Sequence, residues 1–342
     1  MKKILIFRFS AMGDVIMLLP VLKGALDTNR SIEVFLVTQK NFFPFFQGID
    51  RLTLIPVDLK NEHKTLPGIY KLFLKLRETV NPDLVIDLHC VIRTYILDSF
   101  FSLFGFKVVR FHKGTFEKLK KIRFKSGTYL PNTVDRYREV FKLVGLDFTL
   151  ALPPLFHSEF SDSNIDNILP KKIVVGIAPF AKHRQKIWGL DHVVELISYL
   201  NSAFDCTIVL LGGGTEVNLL KKVSECYTNC IISADYFSLQ DEIQVVHKLS
   251  VMVCMDSANM HLSAMAGVPT VSIWGATHPS LGFAPYHQPD ENIIQYSGEK
   301  LTCRPCSVYG NKKCKFGDDI RCMNYISAQE VFEKVRSILN KN

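Results

Sequence analysis

The stretch VMVCMDSANMHLSAMAGVPTVSIWGATHP, residues Val251 to Pro279, contains the pattern that decides the fold. Its opening residues are apolar and β-branched enough for a buried strand, and Thr270 to Trp274 resume strand character. Between these two runs, Asp256 and Ser257 stand where a helix N-cap belongs, and Gly267 closes a short helix. The pattern therefore predicts a strand, a helix and a second strand, with the helix starting at the carboxyl end of the first strand.

Polar groups collect at the start of this predicted helix. Unpaired backbone N–H groups and the positive end of the helix dipole favour a phosphate there. Asp256, Ser257 and His261 add hydrogen-bonding side chains on or near the first turn. Two interpretations follow from these residues alone, a phosphate-binding site in a Rossmann-like domain or an ordinary capped helix.

The length and composition of the chain predict two globular domains. A chain of 342 residues exceeds the size at which one hydrophobic core keeps growing, and 47% hydrophobic with 22% charged residues is an ordinary globular composition. Residues 151–172 are rich in Pro, Ser, Asp and Asn and lack sustained periodicity, which is typical of a linker, and the linker is placed at 156–172. We therefore predict an N-terminal domain at 1–155, a C-terminal domain at 173–326 and a closing helix at 327–342.

Strand-like and helix-like segments alternate along both predicted domains. Beyond the opening stretch, strands are predicted at Lys3–Arg8, Glu33–Thr38, Leu52–Val57, Leu84–Leu88, Val108–Phe111, Ile173–Pro179, Thr207–Leu211 and Cys230–Ser233. This alternation predicts an α/β protein with two doubly wound, Rossmann-like parallel sheets.

Two loops after predicted strands carry an acid beside glycine. In the first loop Gly13 permits a tight turn and Asp14 falls near a helix start, where a carboxylate is also favoured as a cap. In the second domain Gly212-Gly213-Gly214 precedes Glu216, and this triplet suits a close approach to a ligand or a simple tight turn. The G-x-G-x-x-G dinucleotide fingerprint is absent from the first loop.

The net charge of +8 is unevenly distributed. The segment HKGTFEKLKKIRFK, residues His112 to Lys125, contains six cations and one acid, Glu117. This segment and the nearby aromatic run Tyr95 to Phe106 suit an anionic acceptor and a membrane surface, or alternatively a solvated helix face and ordinary core packing. No signal peptide or apolar run long enough to span a membrane is recognised, so we expect a cytoplasmic protein without a nucleic-acid partner.

Nine cysteines, an odd number, argue against a disulfide framework. Four of them form the pattern Cys303-x2-Cys306-x7-Cys314-x7-Cys322 near the end of the chain. The first pair has the spacing of a zinc ligand pair and the second half departs from it, so a structural zinc site and reduced free thiols are both open.

Four segments resemble the bacterial ADP-heptose:lipopolysaccharide heptosyltransferases, family 9 of the glycosyltransferases, in the family's order and spacing. They are RFSAMGDVIMLLPVL at 8–22, PFAKHRQKIW at 179–188, LLGGGTEV at 210–217 and MDSANMHLSAMAGVPTVSIWGATHP at 255–279. The resemblance spans nearly the whole chain and implies the GT-B fold, in which two Rossmann-like domains face each other across a cleft. The family usually has Asp-Thr-Gly where this chain has Asp256-Ser257-Ala258.

The resemblance also implies roles for individual residues. Asp14 corresponds to the general base, Lys186 to a phosphate-contacting lysine and Glu216 to the acid that holds the nucleoside ribose. The implied donor site is completed by Asp256, Ser257 and His261, and the expected acceptor-binding residues are Ser10, Gly13, Lys118, Lys120, Lys121 and Arg123.

The expected activity is inverting, metal-independent transfer of a heptose or related sugar. The expected donor is a nucleotide diphosphate sugar, ADP-heptose, and the expected acceptor is the lipopolysaccharide inner core or a related anionic glycolipid. No cofactor is expected for catalysis, and peripheral contact with the inner membrane would follow from such an acceptor. The alternatives are a GT-B-shaped nucleotide-sugar epimerase and a non-catalytic sugar-binding protein.

Overall fold

The structure, a computed structural model, describes residues 1–125, 127–157, 163–296 and 301–341. These residues form two compact units. The first comprises residues 1–114 and 133–157, and the second comprises the described residues of 115–132 and 158–342. The segment 115–132, which the sequence places in the first domain, thus groups with the second unit.

The first unit is built around a five-stranded parallel sheet. Its strands are β1 (Lys2–Phe7), β2 (Ile32–Thr38), β3 (Leu52–Pro56), β4 (Leu84–Asp87) and β5 (Val108–Arg110). The intervening helices are α1 (Met12–Ile16), α2 (Leu19–Thr28), α3 (Leu66–Thr79) and α4 (Ile92–Leu103), with a 3-10 helix at Lys40–Phe46. The strand order is β3-β2-β1-β4-β5, so the order reverses between β1 and β4.

Two helices follow β5 and belong to different units. Helix α5 (Thr115–Phe124) lies in the second unit, and α6 (Thr133–Leu143) returns to the first. Helix α6 buries Val134, Tyr137 and Phe141.

The second unit is built around a six-stranded parallel sheet. Its strands are β6 (Ile173–Ala178), β7 (Cys206–Leu210), β8 (Cys230–Ile232), β9 (Val251–Met255), β10 (Thr270–Trp274) and β11 (Ile293–Gln295). Its other helices are α7 (Ser163–Ile168), α8 (Leu190–Ala203), α9 (Val217–Ser224), α10 (Ser233–Tyr236), α11 (Leu239–His247), α12 (Ala258–Met265), α13 (Arg321–Asn324) and α14 (Ala328–Leu339). Short 3-10 helices lie at Arg184–Lys186, Gly214–Glu216, Pro279–Leu281 and Asp290–Asn292.

The strand order in this sheet is β11-β10-β9-β6-β7-β8, and it reverses between β6 and β9. In an open parallel sheet, ligands bind at the carboxyl ends of the strands where the order reverses. The sheets thus direct attention to the loops after β1 and β4 in the first unit and after β6 and β9 in the second. The α/β class with two doubly wound parallel sheets is as the sequence predicts.

The ends of the predicted domains differ in detail from the structure. Helix α7 lies inside the predicted linker 156–172, of which residues 158–162 are outside the described residues. The predicted closing helix is α14, whose N-cap Ser327 accepts a hydrogen bond from Glu330 N at 3.1 Å. Its apolar side chains Val331, Val335 and Ile338 join the core of the second unit.

Candidate active site

In the second unit, the loops after β6 and β9 are joined by an ion pair. Lys186 Nζ lies 2.8 Å from Asp256 Oδ2, and both side chains are mostly buried. Thr277, which is fully buried in the loop after β10, donates a hydrogen bond to the same carboxylate oxygen at 2.7 Å. Asp256 thereby fixes the lysine amine and the threonine hydroxyl next to the start of α12.

The start of α12 has a hydroxyl available to a ligand. Ser257 is the N-cap of this helix, and its side chain makes no capping hydrogen bond. Ser257 Oγ is buried, and it has no hydrogen-bond partner among the residues that the structure describes. A buried hydroxyl without a partner is costly, so a ligand acceptor placed there would satisfy it.

Close backbone packing holds the lysine loop against the loop after β10. Ala276 N donates to Gln185 O at 3.2 Å. A Cβ at Gly275 would lie 2.4 Å from Met323 Sδ and 2.6 Å from Gln185 O, so this close approach requires glycine. The position of Lys186 is therefore set by backbone contacts as well as by its ion pair.

Glu216 and His261 lie on neighbouring elements of this sheet edge. Glu216 Oε2 accepts a hydrogen bond from Gly213 N at 3.2 Å, which closes the turn after β7. His261 is buried on α12. The ion pair and hydrogen bond described above join Lys186, Asp256 and Thr277, whereas the assignment of Glu216 to a ribose stays a prediction.

Arg304 is a structural residue of this site that the sequence did not single out. Its guanidinium donates to Gly275 O at 2.6 Å, to Tyr296 O at 2.9 Å and to Trp274 O at 3.0 Å. Burial lowers the pKa of Arg304, with smaller opposing contributions from nearby cysteines. Arg304 thus links the cysteine-rich segment to the carboxyl ends of β10 and β11.

In the first unit, Asp14 is paired with an arginine from β1's carboxyl end. Asp14 Oδ2 forms an ion pair with Arg8, which is buried and also donates to Leu88 O at 2.6 Å. Tyr137 supports the same loop, because its hydroxyl donates to the backbone carbonyl of Asp14 at 3.4 Å. The arginine ties the loop after β1 to the loop after β4, across the point where the strand order reverses.

Asp14 does not act as a helix cap. The N-cap of α1 is Ala11, no side chain caps it, and Asp14 lies inside the first turn. The Asp14 side chain keeps 33% of its surface exposed, so its carboxylate is held by Arg8 while part of it faces solvent. Ser10 and Gly13 flank it and are partly exposed.

The loop after β4 carries a buried histidine, and cations lie near it at the start of α4 and in the loop after β5. Asp87 Oδ1 accepts from the backbone N–H groups of His89 and Cys90 at 2.8 and 2.9 Å, and Lys113 Nζ donates to Cys90 O at 2.7 Å. Burial, followed by the charges of Arg8, Lys113 and Arg93, lowers the pKa of His89 to about 3. His89 is therefore neutral, and its buried Nδ1 has no hydrogen-bond partner in the described chain.

In helix α5 the four predicted acceptor-binding cations lie in two different environments. Lys118 and Lys121 are buried, with Lys118 Nζ 4.2 Å from the centre of the Phe283 ring and Lys121 donating to Thr128 O. Burial lowers the pKa of Lys121. These two amines are thus engaged within the second unit, whereas Lys120 and Arg123 are exposed.

The four tail cysteines line one cavity. Cys303, Cys306, Cys314 and Cys322 surround a space of about 440 Å³ together with the cations Arg123, Lys125, Lys312, Lys313, Lys315 and Arg321. All four thiols are free, and burial raises the pKa of Cys322 to about 11. Within the described part of the chain, no three His, Cys, Asp or Glu side chains are grouped to hold a metal ion. The zinc site stays a prediction that the arrangement of these thiols does not by itself support.

Comparisons with known proteins place this geometry in a family. The family model of glycosyltransferase family 9 (heptosyltransferase) matches residues 105–315. A search of curated proteins gives no match.

Solved structures share the fold over the full length. A family 9 glycosyltransferase from Veillonella parvula has a TM-score of 0.78 at 19% identity, covering 100% of this chain and 98% of that chain. E. coli ADP-heptose lps heptosyltransferase II has a TM-score of 0.72 at 17% identity, covering 100% and 99%. E. coli heptosyltransferase WaaC with ADP has a TM-score of 0.68 at 20% identity, covering 98% and 99%.

The two parallel sheets and the matching structures show the GT-B fold. Because the family model covers more than half of the chain, the protein belongs to glycosyltransferase family 9, the heptosyltransferases. This membership favours sugar transfer over the epimerase and the non-catalytic sugar-binding protein. Within the described residues, no helix has both the length and the apolar character needed to cross a membrane.

Proposed function

We propose that the protein transfers a heptose or related sugar, with inversion and without a metal, from a nucleotide diphosphate sugar to an anionic glycolipid. The donor in this proposal is ADP-heptose and the acceptor is the lipopolysaccharide inner core or a related glycan. The observation that carries the proposal is the Lys186–Asp256–Thr277 network at the start of α12.

This network supports a donor site because it combines a fixed cation with a helix N-terminus. The first N–H groups of α12 and the unpartnered hydroxyl of Ser257 suit diphosphate oxygens. Lys186 adds a positive charge whose position is set by Asp256. Preorganised charges of this kind stabilise the negative charge that develops on a leaving nucleoside diphosphate, so the proposal needs no divalent ion.

The first unit supports the acceptor side of the proposal. Asp14 would take the proton from the attacking hydroxyl, with the oxygen that does not face Arg8 available for that contact. Arg93 and Lys113 contribute positive charge around the neutral His89 in the loops after β4 and β5. We therefore assign the anionic group of the acceptor to Arg93 and Lys113, with Ser10 and Gly13 in the adjoining loop.

The basic helix α5 has a smaller part in this assignment than its sequence predicts. Lys118 and Lys121 are engaged inside the second unit, which leaves Lys120 and Arg123 as the exposed cations of the predicted set. A comparison of two double variants distinguishes α5 from the Arg93 and Lys113 location. Our assignment expects Lys120→Gln with Arg123→Gln to raise the acceptor KM less than Arg93→Gln with Lys113→Gln does.

The test is transfer of labelled heptose from ADP-heptose to inner-core lipopolysaccharide by the wild type and by Asp14→Asn. We expect labelled lipid with inverted anomeric configuration from the wild type, and a loss of about 100- to 10,000-fold for the variant. ADP binding should be retained, and Asp27→Asn, an exposed acid of the same unit, is the matched control. Retained activity in Asp14→Asn would contradict the role of Asp14, and absence of lipid product from the wild type would contradict the acceptor.

A further inference from the structure

Helices α3 and α4 both expose apolar side chains to solvent. On α3, Leu66, Tyr70 and Leu74 are exposed and recur every four residues, so they lie on one side of the helix. At the end of α4, Leu103 is 81% exposed and the following Phe104 is also exposed. Single exposed apolar residues are ordinary, but a contiguous group of them marks an interaction surface.

Ring contacts join the two helices beside these exposed side chains. Tyr70 meets Phe100 edge-to-face with ring centres 5.2 Å apart, and Phe73 lies 5.2 Å from Phe104. Arg77 places its guanidinium carbon 4.5 Å from the centre of the Phe104 ring. We call the surface formed by Leu66, Tyr70, Leu74, Phe100, Leu103 and Phe104 the α3–α4 face.

Exposed cations border this face. Lys71, Lys75 and Arg77 lie on α3 with a single acid, Glu78, and Lys107 follows Phe104 after a short turn. The only acid of α4, Asp98, is buried and paired with Arg110 at 2.7 Å, so it does not offset these cations. The face therefore combines leucines, aromatic rings and positive charge, which is the composition of an interfacial membrane-binding surface.

We propose that the α3–α4 face docks the protein on an anionic phospholipid bilayer. Charge decides the occupant: a second copy docked through the same face would bring two surfaces bordered by lysines together, and their like charges would repel. An anionic headgroup layer instead neutralises them, while Leu66 and Leu103 enter the acyl boundary. This proposal deepens the proposed function, because it places an enzyme that acts on a lipid-linked acceptor at the membrane that holds the acceptor. Only the biological purpose of membrane binding rests on the proposed function.

The test is cosedimentation of the full chain with phosphatidylcholine vesicles that contain or lack phosphatidylglycerol, without donor or acceptor. We expect binding that requires phosphatidylglycerol and weakens with salt. Leu66→Ser with Leu103→Ser should reduce it at least tenfold, and Lys71→Gln, Lys75→Gln and Lys107→Gln together by about a hundredfold. All five positions are exposed, so the fold should persist, and thermal unfolding checks that it does.

Helix α5 provides the matched control, because Phe116 and Phe124 are also exposed beside basic residues. Phe116→Ser with Phe124→Ser should leave vesicle binding unchanged. Loss of binding in this variant alone, or no binding by the wild type, overturns the proposal. Sedimentation equilibrium tests the other possible occupant, a second copy of the chain. If the wild type is a dimer and Leu66→Ser with Leu103→Ser converts it to a monomer, a second copy covers the face and the proposal is overturned. Failure of vesicle binding leaves the transfer assay unaffected, so the two proposals fail separately.

Discussion

The buried carboxyl pair of Asp87 and Asp98 makes the first unit sensitive to pH in a direction that can be measured. Both side chains are fully buried. Asp87 Oδ2 and Asp98 Oδ1 have no hydrogen-bond partner among the described residues, and the two carboxyl groups interact with each other. Burial, opposed by the hydrogen bond from Arg110 and reinforced by the charge of Asp87, raises the pKa of Asp98 to about 7. Asp98 therefore still binds its proton in part of the molecules near neutral pH.

The proposed perturbation is Asp98→Asn, which mimics the protonated acid. Its carbonyl can accept from Arg110 and its amide can donate to Asp87. Because the folded-state pKa lies above the unfolded value of 3.8, folding takes up a proton between about pH 4 and pH 7. The contribution of Asp98 to the free energy of unfolding is thus present at low pH and is lost as the pH rises through about 7.

The magnitude follows from the two pKa values. At about 1.4 kcal/mol for each tenfold change, the difference between 3.8 and about 7 corresponds to roughly 4 kcal/mol. This figure is an upper bound, since the Arg110 side chain is half exposed and water screens its charge. We therefore expect the variant to gain about 1 to 3 kcal/mol relative to the wild type as the pH rises from 5 to 8.

The assay is urea unfolding of both proteins at intervals across that range, followed by a tyrosine or tryptophan signal and by circular dichroism. Only the difference between the two proteins is used, because all other titrating groups cancel in it. Parallel stability curves for wild type and variant would refute the raised pKa of Asp98. Asp98→Ala is the control, since it removes the carboxylate that Arg110 contacts and leaves a cavity, and it should be less stable at every pH.

Three further predictions concern the site. Lys186→Met should weaken ADP binding about tenfold to a hundredfold in calorimetry, and unchanged ADP affinity in this variant would contradict the donor assignment. Thr277→Val, which removes one hydrogen bond to the Asp256 carboxylate, should weaken ADP binding by less. Arg93→Gln with Lys113→Gln should raise the acceptor KM most at low salt while ADP affinity holds, as steady-state kinetics at two ionic strengths will show. Transfer should persist in excess EDTA, and loss of turnover that Mg²⁺ restores would contradict metal independence. Elemental analysis of the untreated protein decides whether the tail cysteines hold zinc.

The sequence predicts the sheets and much of the donor side because the relevant signals are local. Residues 251–279 carry their strands, cap and turn within one continuous stretch, so β9, α12 and β10 follow from periodicity and cap chemistry. Arg8 also had a local signal, since a charged residue in a buried strand requires a partner, and Asp14 stands six residues further on. Nothing in the sequence alone related these two residues to the loop after β4.

Helix α5 shows where a local pattern is insufficient. A run of lysines is usually solvated, yet Lys118 and Lys121 turn inward while Phe116 and Phe124 turn outward. The ring that Lys118 meets, Phe283, lies far along the chain, so no window of sequence contains both partners. The long aliphatic stem of lysine allows this burial when a carbonyl or an aromatic ring receives the amine.

The cysteine-rich segment acquires a structural role through Arg304, which follows its first cysteine. Arg304 donates to carbonyls of β10, of Gly275 and of Tyr296, and Cys306 N donates to Ala276 O at 3.0 Å. These contacts fix the loop whose next residue, Thr277, bonds Asp256. The segment thus supports the donor site through arginine and backbone hydrogen bonds whether or not its thiols bind a metal. The spacing of the cysteines directs attention to their thiols. The contacts described above are instead made by the side chain of Arg304 and the backbone of Cys306.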